Sequence, residues 1–405
     1  MPQPEPPPVS PPVLRSATDA GAPLTAAQLD SVVAGSNANS LAGAVRCDVQ
    51  LVEIVYATAA PDGTPTQASG AVMLPSGPAC PGPYRLAAYA RGTDLDRARA
   101  MASGGGEAQL VAALLAGQGF VVAATDYLGY AKSTFPTHPY LHAGSEATSN
   151  VDALRAAREV AAARGVALNG QVYVTGYSQG GHAALATQRL IETSLGAEFA
   201  LAGAGLMSGP YDLVGSIVSA LDELPLGELG STYYVPFAIT SLQKVYGNLY
   251  SAPSQFFESP YDATIETLFP RTDGASLTDL LADRKLPLLL DRLITPAFES
   301  AARDAASPMR QALLANSPID FTPKAPIVFC GGSKDPVVNF ANTTTAAAAF
   351  QARGAPVTVV DVENEPAYAG RLRDDLVPVD IDTGYHASLV PPLCLLQVRD
   401  RFLTD

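Results

Sequence analysis

Hydrophobic positions follow two spacings that alternate along much of the chain. Apolar residues three and four positions apart predict helices, most clearly in SNVDALRAAREVAAARG (149–165), which ends at a glycine. Short apolar runs predict strands in YRLAAYA (84–90), GFVVAATDY (119–127), GQVYVTG (170–176), FALAGAGLM (199–207), APIVFC (325–330) and VTVVDV (357–362). Alternating strands and helices predict an α/β protein with a mostly parallel central sheet that is covered on both faces.

The first two strands are expected to form an antiparallel hairpin. CDVQLVEIVYAT (47–58) and TQASGAVMLP (66–75) flank a turn in which Asp62 and Gly63 supply the turn chemistry. Cys47 and Cys80 lie on either side of this turn at similar separations, which favours a disulfide over two unrelated thiols. For the remaining cysteines, Cys330 and Cys394, a second disulfide and two buried thiols fit the sequence equally well.

The alternation stops between residues 212 and 322, where helical segments rich in tyrosine and phenylalanine occur. We interpret this stretch as a helical cap inserted into a core made of residues 24–211 and 323–405. Ligands bind at the carboxyl ends of strands in such sheets, and the cap is expected to lie there. The alternative is a structural subdomain with its own small core. Residues 1–23 begin with seven prolines in twelve positions, which predicts a disordered leader.

Composition narrows the range of partners. The 405-residue chain is 47% hydrophobic, which excludes a mainly disordered protein, and its net charge of −14 argues against nucleic acid as a partner. No apolar run reaches the roughly 18 residues that an integral membrane segment needs. The N-terminus lacks the features of a signal peptide, and the cysteines favour an oxidising compartment, so we expect a secreted or periplasmic mature form.

One motif predicts a nucleophile. VTGYSQGGHAA (174–184) places Ser178 in a G-x-S-x-G pattern between a predicted strand and a predicted helix. Small residues at 176, 180 and 181 would let the strand meet the helix at a sharp angle and lift the serine oxygen clear of the sheet. The alternative is a glycine-rich turn without chemistry.

A serine hydroxyl needs a base, and the chain has four histidines. In this kind of sheet the acid and the histidine follow the serine along the chain, which discards His138 and His142. His182 is four residues after Ser178 on the same helix and is expected to be a packing residue. His386, in DTGYHAS near the C-terminus, is therefore the predicted base.

The acid that orients the histidine is predicted to be Asp335, because it directly follows a strong strand in VFCGGSKDPVV. Asp361, Asp380 and Asp382 are weaker alternatives.

The oxyanion of a tetrahedral intermediate needs two hydrogen-bond donors. The first is expected to be the amide of Gln179, which directly follows Ser178 in the turn. A second amide is expected from Thr93 in the loop after LAAYA, with Gly92 as the fallback. Arg91 precedes them and is interpreted as a surface residue that bonds its own loop, with a contact to substrate as the alternative. No metal or organic cofactor is implied.

These motifs together resemble a known family. GYSQGG, GGSKDPVV, GYHAS and the run DYLGYAKSTFPTHPYLHAGSEATSNVDALRAAR are similar to those of secreted alpha/beta-hydrolase esterases and lipases related to fungal secretory lipase A, which include bacterial polyester-cleaving members. The resemblance implies the alpha/beta-hydrolase fold, a triad of Ser178, Asp335 and His386, and a helical lid over 212–322. Relatives often have histidine where this chain has Arg91. His138 is interpreted, with His142, as structural.

The predicted function is a serine carboxylic ester hydrolase, an esterase or lipase that acts on small-molecule or polymeric esters. Aromatic residues in the cap favour apolar acyl or aromatic substrates and a contact between the cap and a lipid interface. Two alternatives stay open, a serine peptidase or amidase on the same fold and a non-catalytic binding module.

Overall fold

A nine-stranded sheet forms the centre of the protein in a computed structural model that describes residues 10–224, 230–274, 277–372 and 384–404. The strand order is β1-β2-β3-β5-β4-β6-β7-β8-β9. Pairs from β1 to β5 are antiparallel, and every pair from β5 through β4 to β9 is parallel, which confirms the predicted sheet. The strands are β1 (Leu14–Asp19), β2 (Asp48–Ala59), β3 (Pro65–Ser76), β4 (Tyr84–Ala90), β5 (Phe120–Tyr127), β6 (Leu168–Tyr177), β7 (Ala200–Met207), β8 (Ile327–Gly331) and β9 (Val357–Asp361).

Helices cover both faces of this sheet, as its apolar strands require. All eight residues of β5 are buried, which explains why it reads as a continuous apolar run rather than an alternating one. One face packs against α3 (Ala143–Ala163), α4 (Gln179–Leu190) and α10 (Ala341–Gln351). The other packs against α1 (Ala26–Ala34), α2 (Gly106–Leu114) and α11 (Val390–Thr404).

Part of the predicted leader is ordered. Strand β1 pairs with β2, and the amides of Val13 and Leu14 donate to Glu159 of α3. The prediction of a disordered segment over 1–23 is therefore wrong for residues 14–19, while residues 1–9 lie outside the described part. The segment LRSATD is mostly polar and exposed, as an edge strand can be. It therefore lacks the alternation of apolar residues that would predict a strand.

Both cysteine pairs form disulfides. The Cα atoms of Cys47 and Cys80 are 5.2 Å apart, and those of Cys330 and Cys394 are 5.4 Å apart. The predicted hairpin and its disulfide are confirmed, with Cys80 in the loop after β3. The second disulfide, which the sequence left open, joins β8 to α11. It thus connects the strand before Asp335 to the helix after His386.

A helical segment lies between β7 and β8. It packs around its own hydrophobic cluster, whose members include Phe237, Phe256 and Phe298, all at most 1% exposed. Tyr140 and Leu141, from the loop before α3, also belong to this cluster and connect it to the core. No helix in the described ranges is long and apolar enough to cross a membrane. The helices of the segment are α5 (Leu213–Asp222), α6 (Ser231–Tyr246), α7 (Leu277–Ala282), α8 (Pro296–Arg303) and α9 (Pro308–Ala315).

Candidate active site

Ser178 stands on a sharp turn between β6 and α4. Its φ of 58° and ψ of −122° are unusual for a residue with a side chain, as expected where a strand turns abruptly into a helix. The glycines around it are required by close backbone approach. A Cβ atom on Gly180 would lie 1.8 Å from the carbonyl oxygen of Ala90, and one on Gly176 would lie 2.2 Å from that of Gly180.

The structure brings Ser178, His386 and Asp335 together. The Nε2 atom of His386 is 2.9 Å from Ser178 Oγ, and its Nδ1 atom is 2.7 Å from Asp335 Oδ2. The other carboxylate oxygen of Asp335 accepts hydrogen bonds from the amides of Val337 and Val338, which fix the carboxylate plane. A serine, a histidine and a buried acid in this chain of contacts can perform acyl transfer.

Of the alternative acids, the structure describes only Asp361. Asp361, at the end of β9, accepts hydrogen bonds from the amides of Ser333 and Glu363 and from the side chain of Asn364. Asp380 and Asp382 fall outside the described residues.

Tyr177, the residue before the serine, also holds the histidine in place. Its hydroxyl donates to the backbone carbonyl of His386 at 2.6 Å. Burial raises the pKa of Tyr177 well above its ordinary value, so the hydroxyl keeps its proton. The sequence gives no sign of this contact, which joins residues 209 positions apart.

The loop after β4 packs on the turn that carries Ser178. The amide of Gly92 donates to Glu107 Oε1 at 2.9 Å, so the fallback donor is already engaged. Within the described ranges the amide of Thr93 makes no hydrogen bond, and Gln179, as the first residue of α4, has no helical partner for its own amide. Thr93 and Gln179 thus both carry amides that are unpaired within the described ranges. Sequence analysis missed Glu107, which anchors the loop from α2.

The structure corrects the interpretation of Arg91 as a surface residue. Its side chain lies 3.6 Å from Asp94 and so contacts its own loop as expected, but it is only 1% exposed and is not a surface residue. The guanidinium stacks over the ring of Tyr130 at 4.3 Å. Arg91 therefore packs within the protein under the loop that carries Thr93.

The side chain of Gln179 belongs to a buried network. Its Nε2 atom is 2.7 Å from Glu146 Oε1 and 2.7 Å from His138 Nε2. The second carboxylate oxygen of Glu146 lies 2.7 Å from His182 Nδ1, and His182 Nε2 lies 2.7 Å from the carbonyl oxygen of Asn316. His182 is thus a buried packing residue, as predicted, and it links the turn after β6 to the end of α9.

Burial keeps His138 and His142 neutral. It lowers the pKa of His138 to about 3, and the Nδ1 atom of that ring donates to the carbonyl of Leu128 at 2.9 Å. Burial, together with the nearby His182, lowers the pKa of His142 to about 4. The Nδ1 atom of His142 accepts from the amide of Ser145 and caps α3, which begins at Ala143, earlier than the sequence indicates.

Replacing His142 with asparagine is expected to make the protein less sensitive to acid. As pH falls below the ordinary histidine pKa of about 6.5, His142 binds a proton in the unfolded chain. In the folded chain it stays neutral until about pH 4, so the folded state loses stability over this range. Asparagine preserves the helix cap without titrating. The loss of unfolding free energy between pH 7 and pH 4 should be smaller in H142N by roughly 2–3 kcal/mol in urea titrations. If the unfolding free energy of the two proteins depended on pH in the same way, the lowered pKa of His142 would be contradicted.

A cavity opens in front of Ser178, between the turn and helices α5 and α6. Its lining is mostly apolar. Tyr140 and Gln179 line it on the side of the core, and the apolar residues that α5 and α6 contribute include Leu213, Ile217, Ala220, Val235 and Ala238. The cavity therefore offers an apolar surface directly beside the serine hydroxyl.

Comparisons with known proteins show the family to which the chain belongs. Residues 99–369 match the secretory lipase family. The crystal structure of the rice cell wall degrading esterase LipA from Xanthomonas oryzae is 34% identical and superposes with a TM-score of 0.84 over 96% of this chain and 98% of that one. Among curated proteins, none matches.

Two more distant structures share the fold. A hydrolase from Legionella pneumophila, described as putative in its structure, is 22% identical, with a TM-score of 0.82 over 97% of this chain and 98% of that one. Candida antarctica lipase A is 14% identical, with a TM-score of 0.58 over 86% of this chain and 76% of that one. The predicted alpha/beta-hydrolase fold is confirmed.

Family membership and the two disulfides are consistent with an extracellular protein. The match over two thirds of the chain, and the likeness to a bacterial esterase over nearly its full length, also bear out the resemblance inferred from the sequence motifs. The chain belongs to the secretory lipase family and is a carboxylic ester hydrolase.

Proposed function

We propose that Ser178, His386 and Asp335 form the catalytic triad of this ester hydrolase. The observation that carries the proposal is the continuous chain of contacts from Ser178 Oγ through the imidazole to a buried carboxylate. His386 accepts the serine proton as Ser178 attacks the ester carbonyl and returns it to the leaving alkoxide, which leaves an acyl-enzyme. Water, activated by the same histidine, then releases the acid.

The amides of Thr93 and Gln179 stabilise the oxyanion of each tetrahedral intermediate. Support comes from the engagement of the neighbouring Gly92 amide by Glu107, whereas the Thr93 amide makes no hydrogen bond within the described ranges. Gln179 adds a donor at the start of a helix, where the helix dipole favours negative charge.

The helical segment 212–322 acts as a cap on a core of residues 24–211 and 323–405. Its helices α5 and α6 provide about half of the apolar residues that line the cavity in front of Ser178, and this lining suits the acyl or aromatic part of an ester. Polymeric esters are a natural extension, since LipA from Xanthomonas is described as degrading rice cell wall. In this proposal the cap is also the surface that meets polymer or lipid.

A paired substrate panel tests whether the site acts on amides as well as on esters. Purified protein should hydrolyse p-nitrophenyl esters from acetate to palmitate and leave p-nitroanilides with matching acyl groups at background rates. Among the described residues, no aspartate or glutamate lines the cavity in front of Ser178, where it could bind a peptide amine. Anilide hydrolysis at comparable kcat/KM would show that the site also acts as a peptidase or amidase.

Narrowing the cavity is expected to shift acyl-chain preference. Ala220 of α5 is 2% exposed and lines the cavity, so phenylalanine there would fill space that a long acyl chain needs. The ratio of kcat/KM for p-nitrophenyl octanoate to that for the acetate should fall by about tenfold or more in A220F. Ala305, exposed between α8 and α9, gives the matched control A305F, which should leave the ratio unchanged. An unchanged ratio in A220F would exclude this cavity as the acyl site.

A further inference from the structure

A pair of hydroxyl groups stands beside the proposed oxyanion position. Thr93 Oγ1 and the Tyr140 hydroxyl are 2.9 Å apart, and Tyr140 lines the same cavity as Ser178. The loop that carries Thr93 is packed tightly on the turn, because Gly180 has no room for a Cβ atom against the carbonyls of Ala90 and Arg91. The loop that carries Thr93 is therefore fixed against the turn that carries Ser178, and the Thr93 side chain is fixed by Tyr140.

One hydroxyl proton of this pair has no acceptor. Each group carries one proton, and a hydrogen bond between them uses only one. Across the described parts of the chain, no other hydrogen bond engages Thr93 Oγ1 or the Tyr140 hydroxyl. Tyr140 lines the cavity in front of Ser178, so the pair lies at the edge of that cavity.

Chemistry and packing decide which hydroxyl keeps the unused proton. A phenol is a stronger donor and a weaker acceptor than an aliphatic alcohol, so Tyr140 donates and Thr93 accepts. Burial raises the pKa of Tyr140 well above its ordinary value, so the phenol stays protonated as a donor. Its ring is fixed by stacking on Phe237, with centroids 4.2 Å apart and planes inclined by 10°. The proton of Thr93 Oγ1 is then the free one.

We propose that the Thr93 hydroxyl is a third oxyanion donor and that Tyr140 aims and polarises it. As Ser178 Oγ bonds to the ester carbon, the carbonyl π electrons move to oxygen, and Thr93 Oγ1–H donates a hydrogen bond to this oxyanion without transferring its proton. Donation from Tyr140 into Thr93 Oγ1 strengthens that bond through cooperativity. The inference rests on the proposed function and adds a side-chain donor to its two amides.

Four variants test the proposal on p-nitrophenyl butyrate. T93V removes the hydroxyl but retains the amide, and kcat should fall by about 100-fold with KM within about threefold. T93S retains the hydroxyl and should stay within about fivefold of wild type. Y140F should lower kcat by roughly tenfold, and the double variant should be no slower than T93V, because Tyr140 acts through Thr93. T66V is the matched control, since Thr66 pairs with the Thr134 hydroxyl on the surface.

A second measurement separates donation from a structural effect. A trifluoromethyl ketone adds to the nucleophilic serine as a tetrahedral oxyanion mimic, and its affinity should fall in T93V in parallel with kcat/KM. If T93V does not fold, as judged by thermal melting, T93A removes the same hydroxyl from a smaller side chain.

The outcomes distinguish this inference from the proposed function. If S178A is inactive while T93V stays within threefold of wild-type kcat, the third donor is wrong and the triad stands. A further loss on adding Y140F to T93V would assign the donor role to Tyr140 and overturn the proposal. If S178A retains wild-type kcat, the proposed triad itself fails.

Discussion

Replacing Ser178 with alanine is expected to lower kcat for p-nitrophenyl butyrate by roughly 10⁵- to 10⁶-fold, the cost of losing the nucleophile in other serine hydrolases. His386 and Asp335 would stay in place in this variant, but without Oγ no acyl-enzyme can form. The same substitution should abolish covalent labelling by a fluorophosphonate. In the wild-type protein this reagent should add the mass of one phosphonyl group per chain. Initial rates and intact-protein mass spectrometry measure the two effects.

The control for this variant is Ser333→Ala. Ser333 is exposed in the loop that leads to Asp335, so its hydroxyl lies outside the proposed machinery while its position in the fold is close. S333A should retain full rate and full labelling. A variant S178A that still accepts one phosphonate would place the nucleophile on another serine and contradict the proposal.

Replacing Asp335 with asparagine is expected to lower kcat by about 10⁴-fold, as amide replacement of the acid does in a well-studied serine protease. The Oδ2 atom of Asp335 accepts from His386 Nδ1, and an amide nitrogen in its place would favour the wrong tautomer of the ring. The backbone donors at Val337 and Val338 would keep the remaining oxygen in position. KM should change little, since Asp335 does not line the cavity.

Asp361→Asn discriminates between the candidate acids. Asp361 ends β9 and bonds the amide of Ser333 rather than the histidine, so D361N should stay within about tenfold of wild-type kcat. If D361N showed the larger loss and D335N the smaller, the acid would have to be reassigned. Comparable melting temperatures for the two variants would show that the difference lies in chemistry rather than folding.

Much of the fold could be predicted from local sequence patterns. The turn around Ser178 could be predicted because a buried strand, three small residues and a helix must follow one another there in sequence. His386 followed by elimination among four histidines. Strand β1 could not be predicted, since an exposed edge strand has no apolar alternation to reveal it.

The sequence alone determined the structural features that depend on residues close to one another along the chain. It determined the alternation of strands and helices, the hairpin centred near Asp62 and the position of Ser178 at the end of a strand. These follow from backbone sterics and from apolar spacing, which act within a few residues.

Only the tertiary structure decided which distant groups meet. It paired Cys330 with Cys394, directed the Gly92 amide to Glu107 and brought Tyr177 to the carbonyl of His386. Each of these contacts depends on where helices cross the sheet, and no spacing along the chain encodes that. Burial then set the charge state of His138, because the cost of placing a charge in the interior depends on the surrounding fold rather than on neighbours in sequence.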